Sequence, residues 1–537
     1  MSTSYSTKAL DHLGLVAAMC QELGVAKFFD NAHPNQSEHR KISCGQLVVS
    51  MLLNGLGFVG RTLHMYPEYF AGKPAERLLG EGIKAEYVND DALGRCLDQL
   101  YETGVSELYQ GLSERVVTHL GLPCEGINLD ATSLHVDGQY IDDGAESNAI
   151  KLVRGYSRDH RPEFNQVILN LITENQAGIP VYMQAASGNM NDAEGFKQIV
   201  KAHIKSLKAA QKSRYFIADA ALYVAETIQS LDEQKQHFIT RVPQKITQAK
   251  QLIAEHNSTL FDAITEGYSG QWVDSDYGGV KQRWLLIRSG QACQREQNKL
   301  DKKMLKTTRQ SIKTFTKLSK QRFACKADAN KALNDWKKQQ GMLTVHDSKI
   351  ISIEVHKKSG RPKHGQAPSR VDYQISGSLA CDLQKRTELL AQKGLFILAT
   401  NDCAKTLTMD KMLTLYKSQQ SVEKGFRFLK SPDFLTSSLY LKKPERIEAL
   451  LMIMTCCLMI YAALEHKIRQ ELKAQNLHFP DMKKKPTQRP TARWVFFCFQ
   501  GIHVLSIDGN QRHVTNLQDR HRIILKCLGD IYLQIYS

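Results

Sequence analysis

The sequence lacks a pair of cysteines separated by two residues, a long hydrophobic run and a glycine-rich nucleotide-binding loop. Its 12 cysteines are scattered, which is typical of reduced thiols and argues against a disulfide framework or a zinc site. The longest apolar run, Ala449 to Leu464, has 16 residues, whereas a membrane span needs about 20. The first residues also lack the basic and apolar regions of a signal peptide. We therefore expect a cytoplasmic protein with no membrane partner, and we interpret the run as a buried core helix.

Positive charge is in excess. Lys and Arg number 71 against 55 Asp and Glu, which gives a formal net charge of +16 and an isoelectric point near 9.2. The apolar content of 42% is ordinary for a globular protein, and the length of 537 residues suffices for about two to four domains. An excess of this size favours a polyanionic partner, most often nucleic acid.

The hydrophobic pattern changes several times along the chain, and these changes predict the domains. Residues 1–120 are predicted to be a helical domain, in which Asn89 caps the helix that begins at Asp90. Short apolar runs then predict three strands, a helix, a strand, a helix and a strand, which is the order of a mixed sheet in an α/β domain. The predicted domains are 1–120, a core in two parts at 121–244 and 393–470, an insertion of β-hairpins and a basic helix at 245–392, and a basic C-terminal region at 471–537.

Three acids stand at chemically informative positions. Asp130 lies in the middle of the first predicted strand, Asp219 ends a short buried strand, and Glu423 follows on a helix after the sheet is complete. An acid within an apolar strand is costly unless it is paired or binds a metal. Carboxylates that converge favour a divalent cation, and oxygen ligands suit Mg²⁺ or Mn²⁺. Two such ions activate a water or a 3′-hydroxyl for displacement at phosphate.

The segment from Tyr416 to Lys430 contains no proline and one glycine, and it predicts one helix. Tyr416, Gln419, Glu423 and Lys430 stand at offsets 0, +3, +7 and +14 and so share one stripe, which Arg427 flanks. Taken alone, this pattern also fits a solvated helix face with ion pairs at spacing i, i+4.

These motifs resemble the bacterial insertion-sequence transposases that have a ribonuclease-H-like core and a DDE triad. The signature of one subgroup is Tyr, two residues, Arg, three residues, Glu, six residues and Lys, and Tyr416, Glu423 and Lys430 match it. Gln419 departs from it by replacing the Arg. The motifs INLDATS and YFIADA around Asp130 and Asp219 are similar to those of the first two acids of the family, and the long interval before Glu423 resembles that of relatives with a β-rich insertion.

The resemblance implies a transposase with catalytic, Mg²⁺-binding or Mn²⁺-binding residues Asp130, Asp219 and Glu423. Such an enzyme binds double-stranded DNA at terminal inverted repeats, pairs two ends as a dimer or larger synaptic complex, and joins them to target DNA in the cytosol. Tyr416, Gln419, Arg427 and Lys430 would then contact DNA, and residues 1–120 would help to bind its ends. Trp272 and Trp284 are candidates for stacking on a flipped base, although each also fits a core tryptophan.

Two other classes of function remain open at this point. A catalytically inactive or domesticated relative would bind DNA without metal-dependent cleavage, and the presence of all three acids argues against it. A ribonuclease-H-like nuclease would cleave without strand transfer, and recognition of specific terminal repeats would separate it from a transposase.

Overall fold

The computed structural model describes residues 4–34, 40–58, 62–123, 125–136, 149–157, 161–211, 213–256, 258–340, 343–356, 367–431, 441–508 and 511–537. The chain divides into two compact units. The first consists of Met1–Arg241, Ser275–Arg283 and Ala399–Ser537, and the second of Val242–Asp274 and Trp284–Leu398.

The first unit begins with one strand and a set of helices. They are β1 (Tyr5–Ala9), α1 (Leu13–Glu22), α2 (Val25–Ala32), α3 (Cys44–Leu56), α4 (Tyr66–Ala71), α5 (Ala75–Leu79), α6 (Asp90–Thr103) and α7 (Val105–His119). The side chain of Asn89 accepts a hydrogen bond from the amide of Ala92 at 3.0 Å, which confirms the predicted cap of α6. Helices α1 and α3 are buried along most of their length, so this part of the chain has a substantial apolar core.

The core sheet of the first unit follows in the predicted order. Its elements are β2 (Gly126–Val136), β3 (Asn165–Glu174), β4 (Pro180–Ser187), α8 (Asp192–Gln211), β5 (Tyr215–Ala218), α9 (Ala225–Glu233) and β6 (His237–Arg241). The strands are ordered β4-β3-β2-β5-β6. Strand β3 is antiparallel to both β4 and β2, whereas β2, β5 and β6 run parallel to one another. This is the ribonuclease-H-like mixed sheet that the sequence predicts.

The second unit contains further strands, a helical pair and a hairpin. Its elements are α10 (Thr247–Glu255), β7 (Asp262–Thr265), β8 (Tyr268–Ser275), β9 (Gln282–Ser289), α11 (Gly290–Lys320), α12 (Lys326–Lys338), β10 (Leu343–Val355), β11 (Arg370–Cys381), α13 (Leu383–Ala391) and β12 (Leu395–Thr400). The sheet order is β12-β9-β8-β7, and β10 pairs with β11. A separate small core of Phe315, Ala329, Leu333, Trp336 and Ile375 joins α11 and α12 to the hairpin.

One short segment of the predicted insertion belongs to the first unit and not to the second. Residues 275–283 belong to the first unit, where the hydroxyl of Tyr223 donates to Gln282 at 2.7 Å and Gln229 donates to the carbonyl of Gly278 at 2.6 Å. The second unit comprises 242–274 and 284–398, and the domain boundaries drawn from the sequence stay predictions.

The remainder of the first unit is mainly helical. It comprises α14 (Met409–Lys417), α15 (Gln420–Leu429), α16 (Pro444–Ala474), β13 (Phe479–Pro480), β14 (Pro486–Thr487), α17 (Ala492–Cys498), β15 (His503–Ile507), β16 (Gln511–Thr515), α18 (Asp519–Leu528) and α19 (Asp530–Ile535). Helix α16 is long and apolar enough to cross a membrane, but 78% of its apolar window is buried inside the protein, as in a core helix. Strand β1 pairs with β15, so the two ends of the described chain share one sheet.

Candidate active site

Two of the predicted acids are neighbours in the register of the core sheet. Leu129 of β2 pairs with Ala218 of β5, and Ala218 pairs with Thr240 of β6. Asp130 and Asp219 each directly follow this paired row, Asp130 within the longer strand β2 and Asp219 just after the end of β5. Side chains in one row point to the same face, and neighbouring strands lie about 4.8 Å apart. The two carboxylates are therefore placed side by side.

Local hydrogen bonds orient both carboxylates. The Oδ1 atom of Asp130 accepts from the amide of Ala131 at 2.8 Å, and that of Asp219 accepts from the amide of Ala221 at 2.9 Å. The hydroxyl of Thr240 donates to the main-chain carbonyl of Asp219 at 2.6 Å and so ties β6 to the end of β5. Both aspartates are half-buried.

The same row continues onto β6 with a residue that the sequence analysis did not select. Arg241 directly follows Thr240, as Asp219 follows Ala218, and its guanidinium acts electrostatically on Tyr416. The signal was present in the sequence, because Arg241 ends a short apolar strand just as Asp219 does. A comparison of the residues at the ends of these two strands would have identified Arg241 as a candidate.

The predicted single helix from Tyr416 to Lys430 is two helices, and that expectation was wrong. Helix α14 ends at Lys417 and α15 begins at Gln420. Between them the amides of Gln419 and Ser421 bond three residues back instead of four, to the carbonyls of Tyr416 and Ser418. The hydroxyl of Ser418 lies 2.6 Å from the carbonyl of Leu415 and 3.1 Å from Asn128 Oδ1 on β2.

This junction fixes the helices on the face of the sheet that carries the aspartates. Asn128 lies two residues before Asp130 on β2 and therefore points to the same face. Helix α15 packs against β2 and β3, and α14 packs against β5 and β6. Glu423 lies in the first turn of α15 and is exposed.

The side chain of Tyr416 is close enough to all three predicted acids for their charges to affect its pKa. Burial, opposed by the charge of Arg241 and assisted by those of Asp219, Glu423 and Asp130, raises the pKa of Tyr416 to about 12. One phenol therefore experiences all three carboxylates of the predicted triad.

The donor set fits a divalent cation bound by oxygen. Two adjacent aspartates and an exposed glutamate offer carboxylate oxygens, which are the ligands that Mg²⁺ and Mn²⁺ prefer. Within the described ranges, no three His, Cys, Asp or Glu side chains are already gathered tightly enough to hold one ion. Asp130 and Asp219, with Glu423, are therefore the residues that would hold such an ion.

The predicted DNA contacts have different environments. Arg427 is exposed on α15 and Lys430 directly follows that helix, half-buried. Gln419 is 8% exposed, so it offers little surface to a ligand. In the second unit, Trp284 is 2% exposed and belongs to the core, whereas Trp272 is half-buried.

The comparisons with known proteins agree with this geometry. A family model described as "Transposase DDE domain" matches residues 125–460, and one described as "Domain of unknown function (DUF4277)" matches residues 5–114. No curated protein matches the chain.

Two solved structures show distant similarity. One is a cryo-EM structure of the piggyBac transposase synaptic complex with hairpin DNA, with 10% identity, coverage of 92% of this chain and 82% of that chain, and a TM-score of 0.38. The other is the Mos1 transposase paired-end complex with left transposon end, with 11% identity, coverage of 42% and 76%, and a TM-score of 0.15. Because the first family model spans more than half of the sequence and includes all three acids, the chain belongs to the transposases with a DDE domain.

Proposed function

We propose that this transposase binds the terminal inverted repeats of an insertion sequence, cleaves DNA strands with divalent metal and transfers the freed ends to target DNA. The observation that carries the proposal is the side-by-side position of Asp130 and Asp219, with Glu423 acting on the same phenol, Tyr416. A purely structural ion-pair cluster would not need two aspartates side by side on adjacent parallel strands.

In this proposal, Asp130, Asp219 and Glu423 hold Mg²⁺ or Mn²⁺. The bound metal supplies an activated water or 3′-hydroxyl and stabilises the leaving oxygen at phosphate. Arg241 and Lys430 bind phosphates near the acids, because Arg241 follows the same paired row as the aspartates, Lys430 lies seven residues after Glu423, and Lys is a compact phosphate donor. Tyr416 stays protonated at neutral pH and donates its hydroxyl proton to a carboxylate or a phosphate oxygen.

The charge of the second unit supports a role in holding DNA. Residues 293–340 contain 14 Lys or Arg and four Asp or Glu, a local net charge of 14 − 4 = +10. Of the 31 residues of α11, Ser311 and Phe315 are the buried ones, so most of its basic side chains face solvent. Such a helix adds affinity for any DNA sequence and makes binding sensitive to salt.

The proposed assembly is a homodimer or larger complex that pairs two element ends in the cytosol. Strand transfer requires two ends to be held together, and this requirement is the reason to expect an oligomer. The corresponding measurement is the molecular mass of the protein with and without end DNA.

The test uses the full chain, Mg²⁺ or Mn²⁺, and a DNA molecule that carries both flanks of its own gene. We expect metal-dependent nicks that expose 3′-hydroxyls at defined positions, followed by joining to a second DNA. The Glu423→Gln variant is the matched negative control. Specific binding to the flanks without cleavage would favour an inactive relative, and cleavage of any DNA without joining would favour a nuclease.

A further inference from the structure

A basic and aromatic surface lies in the C-terminal part of the first unit, outside the match to the DDE domain. We define the C-terminal patch as Met482, Lys483, Lys484, Lys485, Arg489 and Phe497. All six side chains are exposed, and Met482 and Phe497 are 76% and 60% exposed. Exposed apolar side chains of this size are uncommon unless they meet a partner.

The three lysines are held at the tip of an ordered turn. Strands β13 and β14 form a two-residue ladder, and Asp481 Oδ1 accepts from the amides of Lys483 at 2.8 Å and Lys485 at 2.7 Å. Lys484 adopts a φ of 61° to close the turn. The carboxylate of Asp481 is thus bound to the backbone, and in the parts of the chain that are described none of the three ammonium groups has an ion-pair partner.

The aromatic side of the patch is also prearranged. The rings of Trp494 and Phe497 are stacked, with centroids 5.5 Å apart and an interplanar angle of 17°. The indole N–H of Trp494 donates to the carbonyl of Pro480 at 2.7 Å, which fastens α17 to the hairpin. Phe497 therefore presents its ring to solvent from a helix that is fastened to the hairpin bearing the lysines.

A chain of contacts leads from this patch to the catalytic helix. The amide of Arg493 on α17 donates to the hydroxyl of Tyr461 at 3.1 Å, and the Tyr461 ring lies 4.7 Å from that of Phe428 on α15. Phe428 is adjacent to Arg427 and two residues from Lys430. The basic side chains at the end of α15 and those of the patch are therefore supported by one aromatic cluster.

We propose that the C-terminal patch binds duplex DNA beyond the catalytic site, with its lysines and Arg489 on phosphates and Phe497 against a base step. Unpaired cations fit a polyanion, and an apolar side chain beside cations is how proteins contact partly unstacked duplex. The inference rests on the proposed function, because it assumes that DNA is the substrate of the acids.

The test measures binding of the full chain to a random-sequence duplex by fluorescence anisotropy, without divalent metal and over a range of KCl concentrations. The variant combines Lys483→Gln, Lys484→Asn and Lys485→Gln, with Asn chosen because it tolerates positive φ. We expect the slope of log affinity against log salt to decrease in magnitude by about 2 to 3, since each lost phosphate contact removes about 0.9.

The matched control removes the same charge elsewhere, by Lys201→Gln, Lys405→Gln and Lys526→Gln, three exposed lysines on α8, after β12 and on α18. We expect this control to retain the native slope. Phe497→Ala should weaken binding about tenfold and leave the slope unchanged, because it removes an apolar contact and no charge.

A native slope in the patch variant would overturn the inference, as would equal losses in patch and control variants. If the patch variant instead keeps its slope and shifts the sedimentation of the protein towards the monomer, the patch binds a second copy of the chain and not DNA. Metal-dependent cleavage is assayed separately. If the native protein cleaves DNA but the patch variant keeps the native salt slope, this inference alone is contradicted. If the patch variant loses salt slope but the native protein does not cleave DNA, the proposed function alone is contradicted.

Discussion

Asp130 and Asp219 occupy adjacent positions, one residue beyond the paired row of Leu129 and Ala218 on parallel strands. Parallel pairing explains why two acids 89 positions apart in the sequence, 219 − 130, come together. It also explains why both carboxylates face the helices that carry Tyr416 and Glu423. Two like charges this close are more stable when a cation lies between them.

Neutral replacement of the acids is the first test of the site. We expect Asp130→Asn, Asp219→Asn and Glu423→Gln each to reduce strand cleavage by more than about a hundredfold, the effect of removing one electrostatic stabiliser in other enzymes. DNA binding should persist, because no phosphate-binding cation is lost. Asp262→Asn and Glu266→Gln, which alter exposed acids in the second unit, are the controls. Substantial cleavage by any of the three variants would remove that residue from the metal site.

Arg241 should compete with the metal. Its charge lies on the face of the three acids and offsets their mutual repulsion when no metal is bound. We expect Arg241→Ala to bind Mn²⁺ about fivefold more tightly, because loss of one nearby like charge is worth about 1 kcal/mol near a solvated surface. Calorimetric titration measures this change. Arg241→Lys keeps the charge and should behave as the native protein, and weaker Mn²⁺ binding by Arg241→Ala would contradict the assigned position.

The strands of the core were predictable, and the helix junction was not. The order of strands and helices predicted for the core is the order of β2 to β6 with α8 and α9, because buried strands in this sheet are short apolar runs bounded by polar turns. The break after Lys417 has no proline or glycine to mark it. It accompanies a contact between Ser418 and Asn128, 290 positions away, and no local pattern reveals such a contact.

The strand pairing between β1 and β15 could not be predicted from the sequence either. The segment Tyr5–Ala9 lies in a region predicted to be helical, but it pairs with His503–Ile507. Its five residues show little local preference for a helix or a strand, and the strand with which they pair lies about 500 positions later in the sequence. Burial of Gln419 and Trp284 likewise depends on tertiary packing. Sequence pattern therefore located the acids but could not rank the neighbouring DNA contacts.

Lys430 should contribute one phosphate contact. We expect Lys430→Ala to reduce the salt slope of end-DNA binding by about one unit, because one counterion fewer is released. The control is Lys424→Ala, which removes an exposed lysine next to Glu423 on the same helix. A native slope in Lys430→Ala would mean that this lysine touches no phosphate. Equal reductions in both variants would indicate a general effect of charge on α15.

Glu448 makes the stability of the first unit dependent on pH. Burial, with repulsion from Glu107 and Glu445, raises the pKa of Glu448 from 4.5 to about 7. Below pH 4.5 the carboxyl is protonated in both the folded and unfolded states, so its contribution to stability is complete. Between pH 4.5 and 7 the unfolded chain releases the proton first, and stability declines as pH rises.

Glu448→Gln should remove this decline, because the amide remains neutral at every pH. We expect the variant to exceed the native protein in free energy of unfolding by about 1–3 kcal/mol at pH 8 and to match it at pH 4.5. Denaturant unfolding at both pH values measures the difference. Glu445→Gln is the control, since it removes a neighbouring charge and should produce a smaller gain. An equal gain for Glu448→Gln at both pH values would show that the effect comes from packing and not from the proton.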